Sequence, residues 1–368
     1  MENGIGKSMQ TPIKGGIACS VGFSKMFVLP SQFLRGLCLI CCVSLFTAIK
    51  GQQQSFRILS YNVENLFDTC HDAGCDDYEF LPSASRGWDS RRYWAKQGRL
   101  ARLIVAAGGA SPVDIVALCE VENDSVLRDL CERTLLRRLG YAHLITQGRD
   151  IRGIDVGLLY QPSRFRLLSY EALEIPLLPG ERPTRPILHA CGRLVNGDTL
   201  DIFVNHWPSR RGGSKQLEKF RWRVGRFLRQ QADRVVQLRQ HPCVVLVGDF
   251  NDDCTSTSIA DGLGAVNLPA QGEWVVLSSN LQAGNGILGT YKYKGEWNQL
   301  DQIIVYRRLL EHEGGLHTTA SNCRILAFPF LYEVDDIHKG VRPRRTYLGP
   351  IYHGGWSDHF PLLLELSY

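Results

Sequence analysis

The feature that most constrains this chain recurs along its length. Short apolar runs, each the length of a buried strand, stop at an acid, an amide or a histidine. Runs rich in Val, Ile and Leu occupy Arg57–Val63, Asp114–Val121, Asp155–Tyr160, Leu200–His206, Cys243–Asp249, Leu300–Tyr306 and Phe360–Leu366. Apolar runs of about four to eight residues bounded by turn signals suit strands. Asn62 follows FRILSY, Glu120 follows DIVALC, His206 follows DIFVN and Asp249 follows VVLVG. Asp301 lies within LDQIIV, and GGWS leads into Asp358 and His359. Side chains from distant segments converge at strand C-terminal ends in α/β folds. A single such residue is more often a turn former or helix cap. Six interruptions in one chain favour a shared pocket over independent accidents.

Helical patterns lie between some of the runs, at Arg92–Ala107, Ser125–Leu139 and most clearly Gln216–Arg239. In the last, Leu217, Phe220, Val224, Phe227, Leu228, Val235 and Leu238 fall at three- and four-residue steps, as an amphipathic helix requires. Its other face carries Lys215, Lys219, Arg221, Arg223, Arg226 and Arg229. A solvated basic face is the plain reading; steering of a polynucleotide backbone is the sharper one. Other strands follow one another through short turns. That mixture predicts an α/β (α+β) domain with mixed sheets. The chain from Phe56 to Tyr368 holds no Pro/Gly/Ser linker, repeat or low-complexity tract, and residues 52–368 read as one domain. Hydrophobic residues at 44% and charged residues at 21% exclude collagen, a coiled coil and a mostly disordered chain. The formal charge of +5 is too mild for a dedicated nucleic-acid coat. It leaves room for a local basic face around an anionic substrate.

Residues 1–51 read as a signal peptide with an upstream extension. Leu37–Ile49 is apolar and uncharged over 13 residues, with Lys25 and Arg35 before it and Gly51 and glutamines after it. A membrane span needs roughly 20 apolar residues, so this run suits export, with cleavage near Gly51 and a periplasmic or extracellular product. An uncleaved anchor is the alternative. No membrane span is expected in the mature chain. Of 12 cysteines, eight follow this segment, with no C-x-x-C zinc pattern. Cys70 and Cys75 are close enough in sequence to bridge after export, while Cys119 and Cys243 sit in apolar runs as core thiols.

Carboxylates and amide oxygens suit a hard divalent cation such as Mg²⁺ or Mn²⁺. Two histidines can exchange protons or donate to an oxyanion. Together these are the equipment for hydrolysing phosphate esters. The chain has no G-x-x-x-x-G-K-[ST], G-x-S-x-G or H-E-x-x-H. Nucleotide-driven transfer, serine-hydrolase and zinc-protease chemistry therefore lack support.

YNVEN at Tyr61–Asn65, LCEVEN at Leu118–Asn123, NHWPSR at Asn205–Arg210, GDFND at Gly248–Asp252, LDQIIV at Leu300–Val305 and WSDHFP at Trp356–Pro361 appear in that order. This set resembles the endonuclease/exonuclease/phosphatase superfamily, whose members are similar to pancreatic deoxyribonuclease. With WPSRRGG and RGIDVGLLY it looks most like the secreted bacterial branch. The resemblance spans roughly Phe56 to Leu366. It implies a four-layer sandwich of two packed mixed β-sheets flanked by helices, and hydrolysis dependent on Mg²⁺ or Mn²⁺. Carried over by position, Glu120 matches the main metal-binding glutamate and Asn62 the amide beside it, which also serves substrate. Asp249 and Asn251 match the pair that activates water and orients the phosphate. Asp358 matches the second acid near the metal. His359 matches the histidine on the scissile phosphate, and Asp301 the acid that orients it. His206 matches a second histidine, serving the leaving group. Arg185 lies where such members place a phosphate-binding arginine, with Arg152 a lesser candidate. Asp155 is expected to pair with His206 and fix its tautomer.

The leading expectation is an exported nuclease acting on DNA or RNA. The runner-up is a phosphatase or phosphodiesterase acting on a small phosphorylated molecule or a lipid headgroup. For a lipid substrate an exposed aromatic hairpin is expected, and only Gly286–Trp297 is a weak candidate. A binding module without catalysis is the third reading. It is disfavoured because every core motif position carries a competent residue. Oligomeric state is left open.

Overall fold

The computed structural model describes residues 54–210, 215–268, 272–311 and 314–368. The expected signal at Leu37–Ile49 lies outside the described residues. In chain order the strands of the first half are β1 (Ser55–Leu66), β2 (Ile115–Val121), β3 (Ala142–Ile145), β4 (Asp155–Tyr160), β5 (Phe165–Leu173), β6 (Ile187–Leu194) and β7 (Thr199–His206). There follow β8 (Cys243–Asp249), β9 (Ala265–Asn267), β10 (Trp274–Val276), β11 (Tyr291–Tyr293), β12 (Glu296–Asn298) and β13 (Asp301–Tyr306). The last are β14 (Cys323–Ile325), β15 (Tyr332–Val334), β16 (Val341–Pro343), β17 (Tyr347–Leu348), β18 (Ile351–Tyr352) and β19 (Leu362–Ser367). The helices are α1 (Ser90–Gly108), α2 (Asp124–Arg133) and α3 (Lys215–Leu238).

Two mixed sheets form. The first runs β14-β19-β1-β2-β4-β3 and the second β5-β6-β7-β8-β13-β10-β9. β1 and β2 pair in parallel, as do β7 and β8, while their other neighbours are antiparallel. One core unites the facing sides of the two sheets, drawing on Ile58, Ala117, Val156, Ile202, Val245, Ile303 and Leu364. Leu100, Leu103 and Ile104 of α1 and Val126, Leu127 and Leu130 of α2 belong to the same core. A second core packs Phe220, Val224, Leu228 and Ala232 of α3 on Phe203, Val244 and Leu246. Helices outside two stacked sheets make the expected four-layer α/β sandwich.

The predicted α2 region is shorter than its pattern. The helix ends at Arg133, and Thr134 turns extended and caps a separate short turn, Leu135–Arg138, through Oγ1. β-branched Thr favours that capping role over helix interior. The periodicity also passed over β5, β6 and the short hairpins. β5 is largely exposed, so it carries no apolar run to read. On α3, Arg223 pairs with Glu181, Arg229 with Asp233 and Glu273, and Arg221 is buried against Asp252 at 2.7 Å. Much of the basic face is thus tied to the fold rather than presented as a free phosphate track. Cys70 and Cys75 carry free thiols. Gly286–Trp297 does contain a hairpin strand, β11, with Tyr293 exposed. Among the described residues no helix is long and apolar enough to cross a membrane.

Candidate active site

Both central parallel pairs end at one place. β1 and β2 carry Asn62 and Glu120, and β7 and β8 end on His206 and Asp249, which lie opposite one another in register. β13 begins with Asp301, paired with Asp249. The loop before β19 carries Asp358 and His359. The close approach of β7 and β8 needs Gly248: at φ 127° its Cβ would fall 2.0 Å from the Asn205 carbonyl oxygen. That is the physical content of the glycine in GDFND.

Local backbone strain aims the side chains. Glu120 adopts φ 65° where the β1–β2 and β2–β4 registers both shift. A bulge there turns its carboxylate off the ladder. Glu64, Asn65 and Asn251 are likewise left-handed, at φ 53°, 56° and 51°. The Asn65 amide fixes Glu120 Oε2 at 2.8 Å, and Asn62 Nδ2 donates to Glu120 Oε1 at 3.3 Å and Asp249 Oδ2 at 3.0 Å. Asn62 Oδ1 accepts from the Glu64 amide. Asn251 donates through its backbone to Asp249 Oδ1 at 2.8 Å and through Nδ2 to the Trp207 carbonyl at 3.0 Å.

The two histidines flank Asp249. His206 Nε2 lies 3.8 Å and His359 Nε2 4.0 Å from Asp249 Oδ2, and His206 Nε2 lies 3.9 Å from Glu120 Oε1. His359 Nδ1 meets Asp301 Oδ2 at 2.7 Å, as expected for an oriented imidazole. Tyr291 packs on the His359 ring at 4.9 Å between centroids. Burial opposes charge on His359, but Asp301 outweighs it and raises its pKa well above the usual value. His206 is pushed well below the usual value by burial and then by Arg185 and Arg152. Burial also raises Asp249, with His359 opposing. The centre thus pushes its two imidazoles in opposite directions, His359 toward the charged form and His206 toward the neutral one.

Three expectations need correction. Asp155 does not pair with His206: its Oδ1 takes the Thr146 hydroxyl at 2.5 Å and the Gly148 amide at 2.9 Å. His206 Nδ1 is buried without a hydrogen-bond partner among the described residues. Arg185 is not open to a phosphate, because it is 3% exposed and holds Asp150 Oδ2 at 2.7 Å and the Trp207 carbonyl at 2.8 Å. Arg152 is more exposed, yet it too reaches for Asp150, at 3.3 Å. Asp150 is the acid that gathers both arginines, which then act on His206 by charge.

The sequence reading missed Glu64, Lys96 and Arg345. Lys96 is fully buried, and its Nζ donates to the Glu64 carbonyl and Thr346 Oγ1, each at 2.6 Å. Glu64 Oε2 accepts from the Thr346 amide at 2.6 Å. Arg345 Nη2 donates to Asp358 Oδ2 at 2.7 Å. Glu64 had a signal, since it belongs to YNVEN; Lys96 had none, because a helix lysine ordinarily faces water.

The carboxylates around the centre, Glu120, Asp358 and Asp249, offer oxygen, which fits Mg²⁺ or Mn²⁺. Among the described residues no three His, Cys, Asp or Glu side chains close on a point that would hold a metal. Mg²⁺ is compatible with that arrangement, because it is typically held by only one or two carboxylates and keeps several waters. Glu120 and Asp358 are the residues that would hold it; Asn62, expected beside them as a ligand, turns its Nδ2 toward Glu120 and its Oδ1 to the Glu64 amide, and so orients Glu120 instead.

Solved structures share this architecture at low sequence identity. An endonuclease/exonuclease/phosphatase family protein from Bacteroides thetaiotaomicron is 18% identical with a TM-score of 0.54, covering 86% of this chain and 99% of that one. A mannosyl-6-phosphatase of the same organism is 17% identical with a TM-score of 0.53, covering 85% and 100%. Humanized D. rerio TDP2 is 14% identical with a TM-score of 0.52, covering 85% and 99%. Comparison with curated protein sequences gave no match. The sequence profile of the Endonuclease/Exonuclease/phosphatase family, however, matches residues 57–368, and the chain belongs to that family.

Proposed function

We propose that this protein is a hydrolase of phosphate esters that depends on Mg²⁺ or Mn²⁺. The observation that carries the reading is the convergence of Asn62, Glu120, His206, Asp249 and the Asp301–His359 pair at adjoining strand ends. A bound divalent cation would polarise a phosphoryl oxygen and offset charge that develops there. His359, charged and held by Asp301, donates to a phosphoryl oxygen. Asp249, oriented by Asn62 and Asn251, receives the proton of the attacking water. The water oxygen bonds to phosphorus, the bond to the leaving oxygen breaks, and His206 serves that oxygen. Neighbours named as a phosphatase and as TDP2 share the fold, so substrate class is not decided by fold.

Activity on phosphate esters is expected to disappear with EDTA and return with Mg²⁺ or Mn²⁺. Glu120→Ala should shift the metal titration to higher concentration while leaving the protein folded. Full activity in EDTA would remove the metal from the reading, and an unchanged titration would show that Glu120 is not its ligand.

Export belongs to the same proposal. The support is the uncharged Leu37–Ile49 run behind a basic flank. N-terminal sequencing of protein from the periplasm or medium should begin close to Gly51. Recovery only from cytosol with that run intact would refute export.

A further inference from the structure

Beside His359 stands a cationic strap that the motifs do not include. Residues 344–346 link β16 to β17 and press between the end of β1 and the loop carrying Asp358. The strap is pinned on all sides. The Arg344 amide donates to the Leu331 carbonyl at 2.8 Å, the Trp356 amide to the Arg344 carbonyl at 2.8 Å, and the Gly355 amide to the Arg345 carbonyl at 2.9 Å. A Cβ on Gly355 would fall 1.9 Å from the Arg344 carbonyl oxygen, so the two segments touch through backbone. From below, Lys96 grips Thr346 and Glu64 together. Arg345 therefore projects from a rigid base.

Its surroundings set it apart from Arg185. The Arg345 side chain keeps 32% exposure, against 3% for Arg185. One edge of its guanidinium is taken by Asp358 Oδ2, while Asp358 Oδ1 lies 4.0 Å from His359 Nε2. Arg345 and His359 thus flank one carboxylate. Glu64 and Asp358 are balanced by Lys96 and Arg345, so an approaching anion meets no excess of negative charge from this group.

A phosphodiester offers two non-bridging oxygens and a single charge. A phosphomonoester offers three terminal oxygens and a charge near −2 at neutral pH. His359 and a bound divalent cation would serve the two oxygens of the first, with His206 left to the leaving oxygen. The second has an oxygen and a charge to spare, and a planar guanidinium matches both. We propose that Arg345 binds a terminal oxygen of a phosphomonoester, so that the site selects a terminal phosphate group over an internal diester. This rests on the phosphoester-hydrolase reading above and names its substrate class.

The test compares the full chain with Arg345→Gln and Arg345→Lys on p-nitrophenyl phosphate and bis(p-nitrophenyl) phosphate in Mg²⁺. Inorganic phosphate binding is measured by calorimetry alongside. Arg345→Gln should lose about 10- to 100-fold in kcat/KM on the monoester, the size of a charged hydrogen bond, and much less on the diester. Phosphate binding should weaken in parallel. Arg345→Lys keeps the charge beside Asp358, serves as the folded control, and should recover part of the monoester rate. Equal losses on both substrates would show that Arg345 only holds Asp358 and would overturn the proposal. If the wild-type chain hydrolyses neither compound, the phosphoester reading fails. Phosphate binding still decides on Arg345 then: weakened binding in Arg345→Gln supports the anion site, and unchanged binding overturns it.

Discussion

His359→Ala is expected to lose about 10² to 10⁴ in kcat, the range for removing a positioned acid, base or charged donor. The ring sits 2.7 Å from Asp301 and 4.0 Å from Asp249, so its removal deletes the cationic donor of the centre. Asp301 is fully buried, and the variant strands its carboxylate without the imidazole. A stability loss of about 1 to 3 kcal/mol is expected from that alone. Rates should therefore be read at a temperature where melting shows the variant folded. Asp301→Asn should lose less, because it orients the ring rather than touching substrate. The double variant should fall little below His359→Ala, since the two residues act as one unit. His206→Ala should lose at least about 10²-fold. A His359→Ala protein that keeps most of its wild-type rate would exclude the pair from catalysis.

Lys96→Met is expected to destabilise the fold by about 3 to 5 kcal/mol, the cost of breaking a buried charge arrangement from one side. Lys96 lies 0% exposed with Glu64 and Asp358 as its charged neighbours. Burial pushes the lysine down from its usual pKa and pushes Glu64 up, and each opposes the other's shift. Without the ammonium, Glu64 keeps Arg345 only at 3.5 Å, and the Glu64 carbonyl and Thr346 hydroxyl lose their donor. Denaturant unfolding measures the change. Adding Glu64→Gln to Lys96→Met should restore part of it, because the uncompensated charge is then gone. A loss below about 1 kcal/mol for Lys96→Met, the level of an exposed pair, would show that Lys96 is solvated and not a structural ion.

The sequence by itself determined which strands form the middle of the sheets and which residues end them. Periodicity and chain composition are local properties, and Asn62, Glu120, His206, Asp249, Asp301 and His359 interrupt apolar runs in a way any such reading registers. All six meet in the structure, and the two-sheet sandwich follows from the same runs. What only the tertiary structure decided is who pairs with whom. Asp155 and Asp150 are five positions apart in the chain and equally acidic on paper. Yet Asp155 is consumed by Thr146 and Gly148, and Asp150 by Arg185 and Arg152. Lys96 reaches Thr346 across 250 residues, and Asn62 reaches Asp249 across 187. Arg345 stands beside Asp358 only because the strap is wedged against Gly355. Burial of a charge is decided by partners that arrive from elsewhere in the chain, through low-dielectric contacts that no local pattern encodes. For the same reason Arg185, which sequence position suggested for phosphate, is sealed inside the fold, while the half-buried Arg345 lies where no motif pointed.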